Sequence, residues 1–267
     1  PNNVPPVIAP AGWTKAGDAY LLNDTYDVWR VALDGSGGAR LTDGAKSGVV
    51  HRFINFAPVS AGPQERAFDL AKPVYFSLRG KTTKQGGYAR RNANGSVDRL
   101  ILADAGHGAL IRADSAPVFA YSRQRYDEPP TLYLGADVAN GKAIVQTNAF
   151  AKDFAWGRVE LFDFKSTIGV PLQALLYHPA NYDASKKYPM IVYTYELLTQ
   201  GFHNYIAPRE TDYYNTTVFT QNGYFVLMPD IVFRPREPGI AAQQSVEAAV
   251  ASVLARGLVD PARVGHV

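Results

Sequence analysis

Cysteine is absent from all 267 residues. That excludes a disulfide framework and a thiolate metal site, and it leaves the redox compartment open. No apolar run reaches the length that spans a bilayer, and no signal-peptide pattern occurs, so no membrane partner is expected. There is no excess of one charge. With 27 Lys and Arg against 24 Asp and Glu the net charge is +3, and the basic residues are scattered, which leaves no electrostatic footprint for nucleic acid. The five histidines (His51, His107, His178, His203 and His266) lack metal-ligand spacing to one another, so no metal site is expected; no cofactor is expected either. What the chain has in quantity is apolar material. A hydrophobic content of 46% is enough for one large domain or two, and the 16 Tyr and 13 Phe suit a part rich in strands.

The two halves differ in texture. Residues 1–155 are short apolar runs between Gly, Asn and Asp clusters, and three loose copies of one pattern succeed one another. Residues 19–44 read as strand, strand, a turn at Asp34-Gly35, and strand; residues 73–102 repeat this with a turn at Asn94-Gly95, and residues 117–147 with a turn at Asn140-Gly141. The period of about 40 to 55 residues suits propeller blades. The expectation for 1–155 is therefore a partial β-propeller of about three blades, with a β-sandwich of hairpins as the alternative. Three blades cannot close a ring, which takes about four to eight. The chain also opens on Pro1 rather than Met, and it is expected to be a piece of a longer protein.

From residue 156 the period changes. "RVELFDFKS" and "VPLQALLYHPANY" read as a hairpin, and "KKYPMIVYTYE" (186–196) and "GYFVLMPDI" (223–231) as buried strands. Residues 239–256 form a helix with Ala242, Val246, Ala249, Val250, Val253 and Leu254 on one stripe, stopped by Gly257. Asp260-Pro261 turns the chain, and "VGHV" opens a further strand. Strand, strand, helix, strand in this order is an α/β sheet.

These stretches together, above all "FKSTIGVPLQALLYHPANYDASKKYPMIVYTYE", "NGYFVLMPDIVFR" and "ARGLVDPARVGHV", resemble the prolyl oligopeptidase family of serine peptidases, bacterial dipeptidyl-peptidase and acylaminoacyl-peptidase types especially. The resemblance covers the whole chain and is strongest from Trp156 onward. It implies a mixed fold, the C-terminal blades of a β-propeller (1–155) followed by the N-terminal part of an α/β-hydrolase domain (156–267). It implies a peptide substrate cleaved by acyl transfer and a propeller that restricts access; the compartment stays unknown, with a periplasmic or secreted location favoured for a bacterial parent. It leaves a homo-oligomer open.

In that family the strand after "DP-x-R-[IV]" runs into the nucleophile elbow, G-x-S-x-G, where a strained turn exposes a serine to its histidine. The motif is absent here. "DGSGGAR" (34–40) has the letters without the spacing, Ser185 lies in a loop, and Ser245 lies in a helix. The order Ser, Asp or Glu, His in such hydrolases places all three triad members beyond residue 267. The fragment alone is then expected to be inactive. It should also aggregate or need the remaining hydrolase segment of the same parent, because its last strand would lack a neighbour.

One site residue is carried over from the resemblance. Aligned on Tyr188-Pro189, Tyr195 matches the tyrosine whose phenol donates to the tetrahedral oxyanion. A phenol, with an ordinary pKa of about 10, is a donor at neutral pH and suits developing negative charge. The alternative for Tyr195 is an aromatic at a strand end, with Tyr193 two residues earlier on the same face. The family's glycine-rich "HGGP" variant is replaced here by "YELLTQGFHNY". Asp230 and Arg234 sit at a carboxyl strand end, as a substrate contact or as an Asp–Arg pair shaping the loop. His107 is expected in a solvated glycine turn, and His266 packed and hydrogen-bonded in the last strand. Arg123, Arg125, Asp127 and Glu128 form a charged hairpin top with no residue-level match to a site. The sequons at Asn23, Asn94 and Asn215 are of the number chance produces. Two other readings compete: a β-propeller binding module with a degenerate hydrolase-like tail, and an esterase on the same fold.

Overall fold

Alternation at period two turns the first part of the chain into antiparallel hairpins. The computed structural model describes residues 10–267, so the start of the first expected domain, residues 1–9, lies outside the described residues. Contacts divide the chain into two units: one runs up to Arg123 and includes Thr131–Gln146, and the other joins Gln124–Pro130 to Thr147–Val267.

The first unit holds three sheets. Strands β1 (Pro10–Trp13), β2 (Ala19–Asn23), β3 (Val28–Ala32) and β4 (Gly38–Arg40) form the first, in sequence order. After a short helix α1 (Gly44–Ser47), β5 (Val49–Ile54), β6 (Val74–Gly80), β7 (Gly86–Arg91) and β8 (Val97–Ala103) form the second, again in order. The third runs β10 (Ile111–Arg112), β11 (Phe119–Arg125), β12 (Glu128–Gly135), β13 (Lys142–Gln146), with β9 (Gly106–His107) also on β11. In β6 the alternation is clean: Val74, Phe76, Leu78 and Gly80 are buried. The expected Asn94-Gly95 turn joins β7 to β8, and Gly95 takes φ 91, which a side chain would disfavour. Each expected three-strand copy proves to be one sheet with an extra first strand, β1, β5 or β10. These were not read from the sequence because they are short or carry polar residues, as His51 and Arg52 do in β5.

Successive sheets share cores. Leu21 and Val28 of the first meet Val49, Val74, Phe76 and Leu78 of the second around Phe68. Tyr88 of the second meets Phe119, Tyr121 and Val138, with Tyr75 and Tyr133 alongside. The face-to-face sequence of sheets is thus held by apolar burial, at about 1.5–3 kcal/mol per large side chain. None of the sheets closes on itself among the described residues.

The second unit contains one mixed sheet, in the order β14 (Val159–Lys165), β15 (Pro171–Tyr177), β17 (Phe225–Pro229), β16 (Tyr188–Val192), β18 (Val259–His266). The β14–β15 hairpin and the β15–β17 pair are antiparallel; β16 runs parallel to both β17 and β18. Between them come two helices, α2 (Thr216–Gln221) before β17 and α3 (Pro238–Leu254) before β18. One face packs Phe162, Phe164, Ala174, Leu176, Met190, Val192, Phe225 and Leu227 against Ala249 and Val253 of α3. The other carries Tyr126, Leu175, Tyr177 and Val226 with Phe202, Ile206 and Phe219. Burial on both faces is why "ALLY" and "FVLM" read as continuous apolar runs rather than alternating ones.

Three expectations for this unit need correction. The strand expected over 186–196 ends at Val192. The Asp260-Pro261 turn lies inside β18, as a bulge between the pairs Tyr188↔Val259 and Met190↔Val264. There Asp260 accepts hydrogen bonds from the Ala262 N–H (3.0 Å) and Arg263 Nε (2.8 Å). Helix α2 was not read: it is one and a half turns long, and its start is set by the Asn215 side chain accepting from the Val218 N–H (3.0 Å). Helix α3 matches its expected span, and Gly257 closes it with φ 72, two residues beyond the cap residue Ala255.

Candidate functional site

The two parallel strands β16 and β18 end side by side, and the residues that follow are held in register. Val192 is paired with His266, and the Val267 N–H donates to the Val192 carbonyl at 3.0 Å. Thr194 Oγ1 lies 2.9 Å from His266 Nε2. On the other side of β16 the Tyr193 N–H donates to the Leu227 carbonyl at 2.9 Å. Tyr195 comes three residues after the strand and is 69% exposed. Tyr193 is half-buried, its ring 5.6 Å from that of Tyr214. With β16 already ended, the period-two argument that put Tyr193 and Tyr195 on one face does not apply.

The strand stops because a buried carboxylate pulls the next segment aside. Asp230, at the end of β17, is only 7% exposed. It accepts from the Thr199 N–H at 2.9 Å and from Thr199 Oγ1 at 2.5 Å, while the Ile231 N–H donates to the Glu196 carbonyl at 2.9 Å. Charge-assisted bonds of this kind are roughly twice as strong as neutral ones. They tie Glu196 and Thr199 to the residues that follow β17, while Tyr195 just before them stays exposed. The expected Asp230–Arg234 pair does not form: Arg234 reaches Glu237 at 3.0 Å and Gln244 at 3.5 Å instead. Thr199 was missed because nothing local marks it; its partner is 31 residues away.

The other singled-out residues have structural settings. Ser245 is fully buried, donating to the Ala241 carbonyl and accepting from the Val232 N–H. Ser185 turns back on Asp183 at 2.7 Å. His107 is not a solvated turn residue; its ring stands edge-on to Tyr88 at 5.7 Å. His266 is hydrogen-bonded but exposed. At the hairpin top Arg125 pairs with Asp127 at 3.7 Å. Asn215 is buried as the α2 cap, whereas Asn94 is exposed. No group of three or more His, Asp or Glu side chains that could hold a metal occurs among the described residues.

One titratable cluster lies away from the strand ends. His178, 1% exposed, has Nε2 at 3.3 Å from Glu160 Oε2, and Arg256 donates to Glu160 Oε1 at 2.7 Å. Burial first, and then the charge of Arg158, push the imidazole below the ordinary histidine value, against the pull of Glu160. Burial would raise Glu160, but the Arg256 hydrogen bond and charge, with His178, bring it below the usual carboxylate range. Both native groups therefore bind their protons at lower pH than in the unfolded chain, which binds more protons in that window, so stability falls with falling pH. The His178 part is complete above about pH 6.5 and is lost below it. Hydrogen exchange of the β15 and β17 amides, corrected for intrinsic rates, should show protection dropping between about pH 7 and pH 5. His178→Asn should flatten that drop; equal slopes in the two proteins would refute it.

No family model matches the chain, and no curated protein matches it in sequence. Solved structures do. The fold is similar to that of Porphyromonas gingivalis dipeptidyl peptidase 4, with a TM-score of 0.68 and 15% identity over 96% of this chain and 37% of that one. A putative dipeptidyl aminopeptidase IV from Bacteroides ovatus gives a TM-score of 0.68 and 18% identity, over 96% of this chain and 40% of that one. A post-proline cleaving enzyme from Rickettsia typhi gives 0.63 and 11%, over 99% of this chain and 40% of that one. The chain thus spans about two fifths of the length of each, and what it shares with them is the fold of that part.

Proposed function

We propose that this chain is part of a serine peptidase of the prolyl oligopeptidase type that hydrolyses short peptides by acyl transfer. The three stacked sheets of the first unit would be blades of a β-propeller, and the mixed sheet the start of the hydrolase domain. The observation that carries the reading is the pairing of the β16 and β18 ends, with Val267 bonded to Val192 and His266 to Thr194. A nucleophile elbow continuing from Val267 would emerge beside Tyr193–Tyr195. The Tyr195 phenol and the backbone N–H after the serine would then form the oxyanion hole, stabilising charge that appears only as the tetrahedral intermediate forms. The partners are a peptide substrate and the remaining hydrolase segment, which brings the serine, the acid and the histidine. The likeness in fold to the dipeptidyl and post-proline peptidases supports the class of reaction and leaves substrate preference to experiment.

A fluorophosphonate probe tests this directly. In the intact protein it should label one serine, located by peptide mapping within a few residues after Val267, and it should leave residues 1–267 expressed alone unlabelled. Labelling within residues 1–267 would overturn the assignment of the nucleophile. An intact protein that folds but takes no label would favour the binding module with a degenerate hydrolase-like tail.

A further inference from the structure

Three Asn-Gly pairs occur in the described chain, Asn94-Gly95, Asn140-Gly141 and Asn222-Gly223, and all three asparagines are exposed. Asparagine before glycine can deamidate by itself. The following amide nitrogen gives up its proton to solvent and attacks the side-chain Cγ. The new C–N bond closes a succinimide ring, the Cγ–Nδ2 bond breaks, and that nitrogen takes up a proton and leaves as ammonia. One water then opens the ring to aspartate or isoaspartate. Glycine favours the step because it puts no side chain in the way of ring closure, so what distinguishes the three pairs is how the fold holds the attacking nitrogen.

Two of the three nitrogens are held. The Gly95 N–H donates to the Asn92 carbonyl at 2.9 Å, and Asn94 Oδ1 is engaged by the Ser96 N–H (3.0 Å) and Oγ (2.8 Å). The Gly223 N–H donates to the Thr220 carbonyl at 3.2 Å, and Asn222 Nδ2 donates to the Val218 carbonyl at 2.8 Å. Gly141 differs. It ends a single 3-10 turn (Val138–Asn140) with φ −56, and its N–H has no acceptor among the described residues. Among the described residues the Asn140 side chain is held only through Nδ2, which donates to Asp137 Oδ2 at 2.6 Å.

We propose that Asn140 is a spontaneous deamidation site, the fold leaving its attacking nitrogen free while it protects Asn94 and Asn222. The consequence is local. Deamidation removes the donor to Asp137 and sets a second carboxylate against the one that caps this turn through the Ala139 N–H (3.0 Å). Isoaspartate also lengthens the backbone by a methylene two residues before the first β13 pair, Leu134↔Lys142. Strand β13 is exposed along its whole length, so little burial resists a shift of register.

The test ages the intact protein at mildly alkaline pH and maps peptides by mass spectrometry, with isoaspartyl methyltransferase labelling as a second readout. Asn140 should convert at least about fivefold faster than Asn94 or Asn222, the factor that one ordinary turn hydrogen bond corresponds to. In denaturant the three rates should converge, because only the fold separates them. Asn140→Gln should abolish the signal at this position without altering the other two, and aged wild-type protein should show faster hydrogen exchange in β13. Equal rates in the folded protein, a faster rate at Asn94 or Asn222, or a preference that persists in denaturant would each overturn the assignment. None of these outcomes depends on the peptidase reading.

Discussion

Under the proposed function, Tyr195→Phe in the intact protein should lower kcat by about 10²–10³-fold, the usual effect of removing one oxyanion donor. The substitution keeps the ring and removes one O–H. A phenol that donates to negative charge present only in the transition state contributes little to substrate binding, so KM should hold while kcat and kcat/KM fall together. The side chain is 69% exposed and lies outside the sheet, so folding should not be disturbed. Tyr193→Phe is the informative control. Tyr193 directly follows β16, with its N–H on Leu227 and its ring against Tyr214, and this substitution should change kcat little. If the losses are reversed, Tyr193 is the donor and the alignment on Tyr188-Pro189 is displaced by two residues. If neither variant loses activity, the tyrosine version of the oxyanion hole is wrong for this protein.

Phe225→Ala should cost about 3–5 kcal/mol of stability in the unit that carries the mixed sheet. Phe225 is fully buried in β17, with ring centroids of His178 at 5.0 Å, Tyr182 at 5.7 Å and Tyr188 at 5.9 Å. Those neighbours come from β16, from the end of β15 and from the loop between them. Rigid rings on three sides cannot collapse into the space, so the cavity adds to the lost transfer free energy. Ile240→Ala, at a position 52% exposed on α3, should fall within about 0.5 kcal/mol of wild type. Exchange rates of the β17 amides read the difference within this unit; a cost below about 1 kcal/mol for Phe225→Ala would mean that the core repacks.

Where the pattern is local, the chain could be read directly. The three hairpin copies, the β14–β15 hairpin and α3 all rest on spacing and turn residues within a few positions of one another. The reading of α3 shows where this stops. Its expected stripe, Ala242, Val246, Ala249, Val250, Val253 and Leu254, holds Ala249 and Val253 of the deepest row but misses Ala241 and Ser245. Small residues let a helix approach a sheet closely, and Val246, Val250 and Leu254 flank the contact. Hydrophobicity ranks side chains by transfer from water, not by the room a partner leaves them.

The strand ends at the candidate site were beyond reach for a related reason. "YPMIVYTYE" is apolar and β-prone throughout, and nothing in it says that the ladder stops at Val192. The stop is decided by Asp230, whose buried carboxylate must find donors, and the donors are on Thr199. By itself the sequence determined the strands and turns of the three hairpin copies, the β14–β15 hairpin, helix α3, and the family that the second half resembles, because each depends on neighbours in the chain. Only the tertiary structure decided the strand order β14-β15-β17-β16-β18, the bulge at Asp260-Pro261, and the meeting of Thr194 with His266 across 72 residues. A buried polar group takes whichever partner the packing brings within about 3 Å, and separation along the chain does not enter that choice.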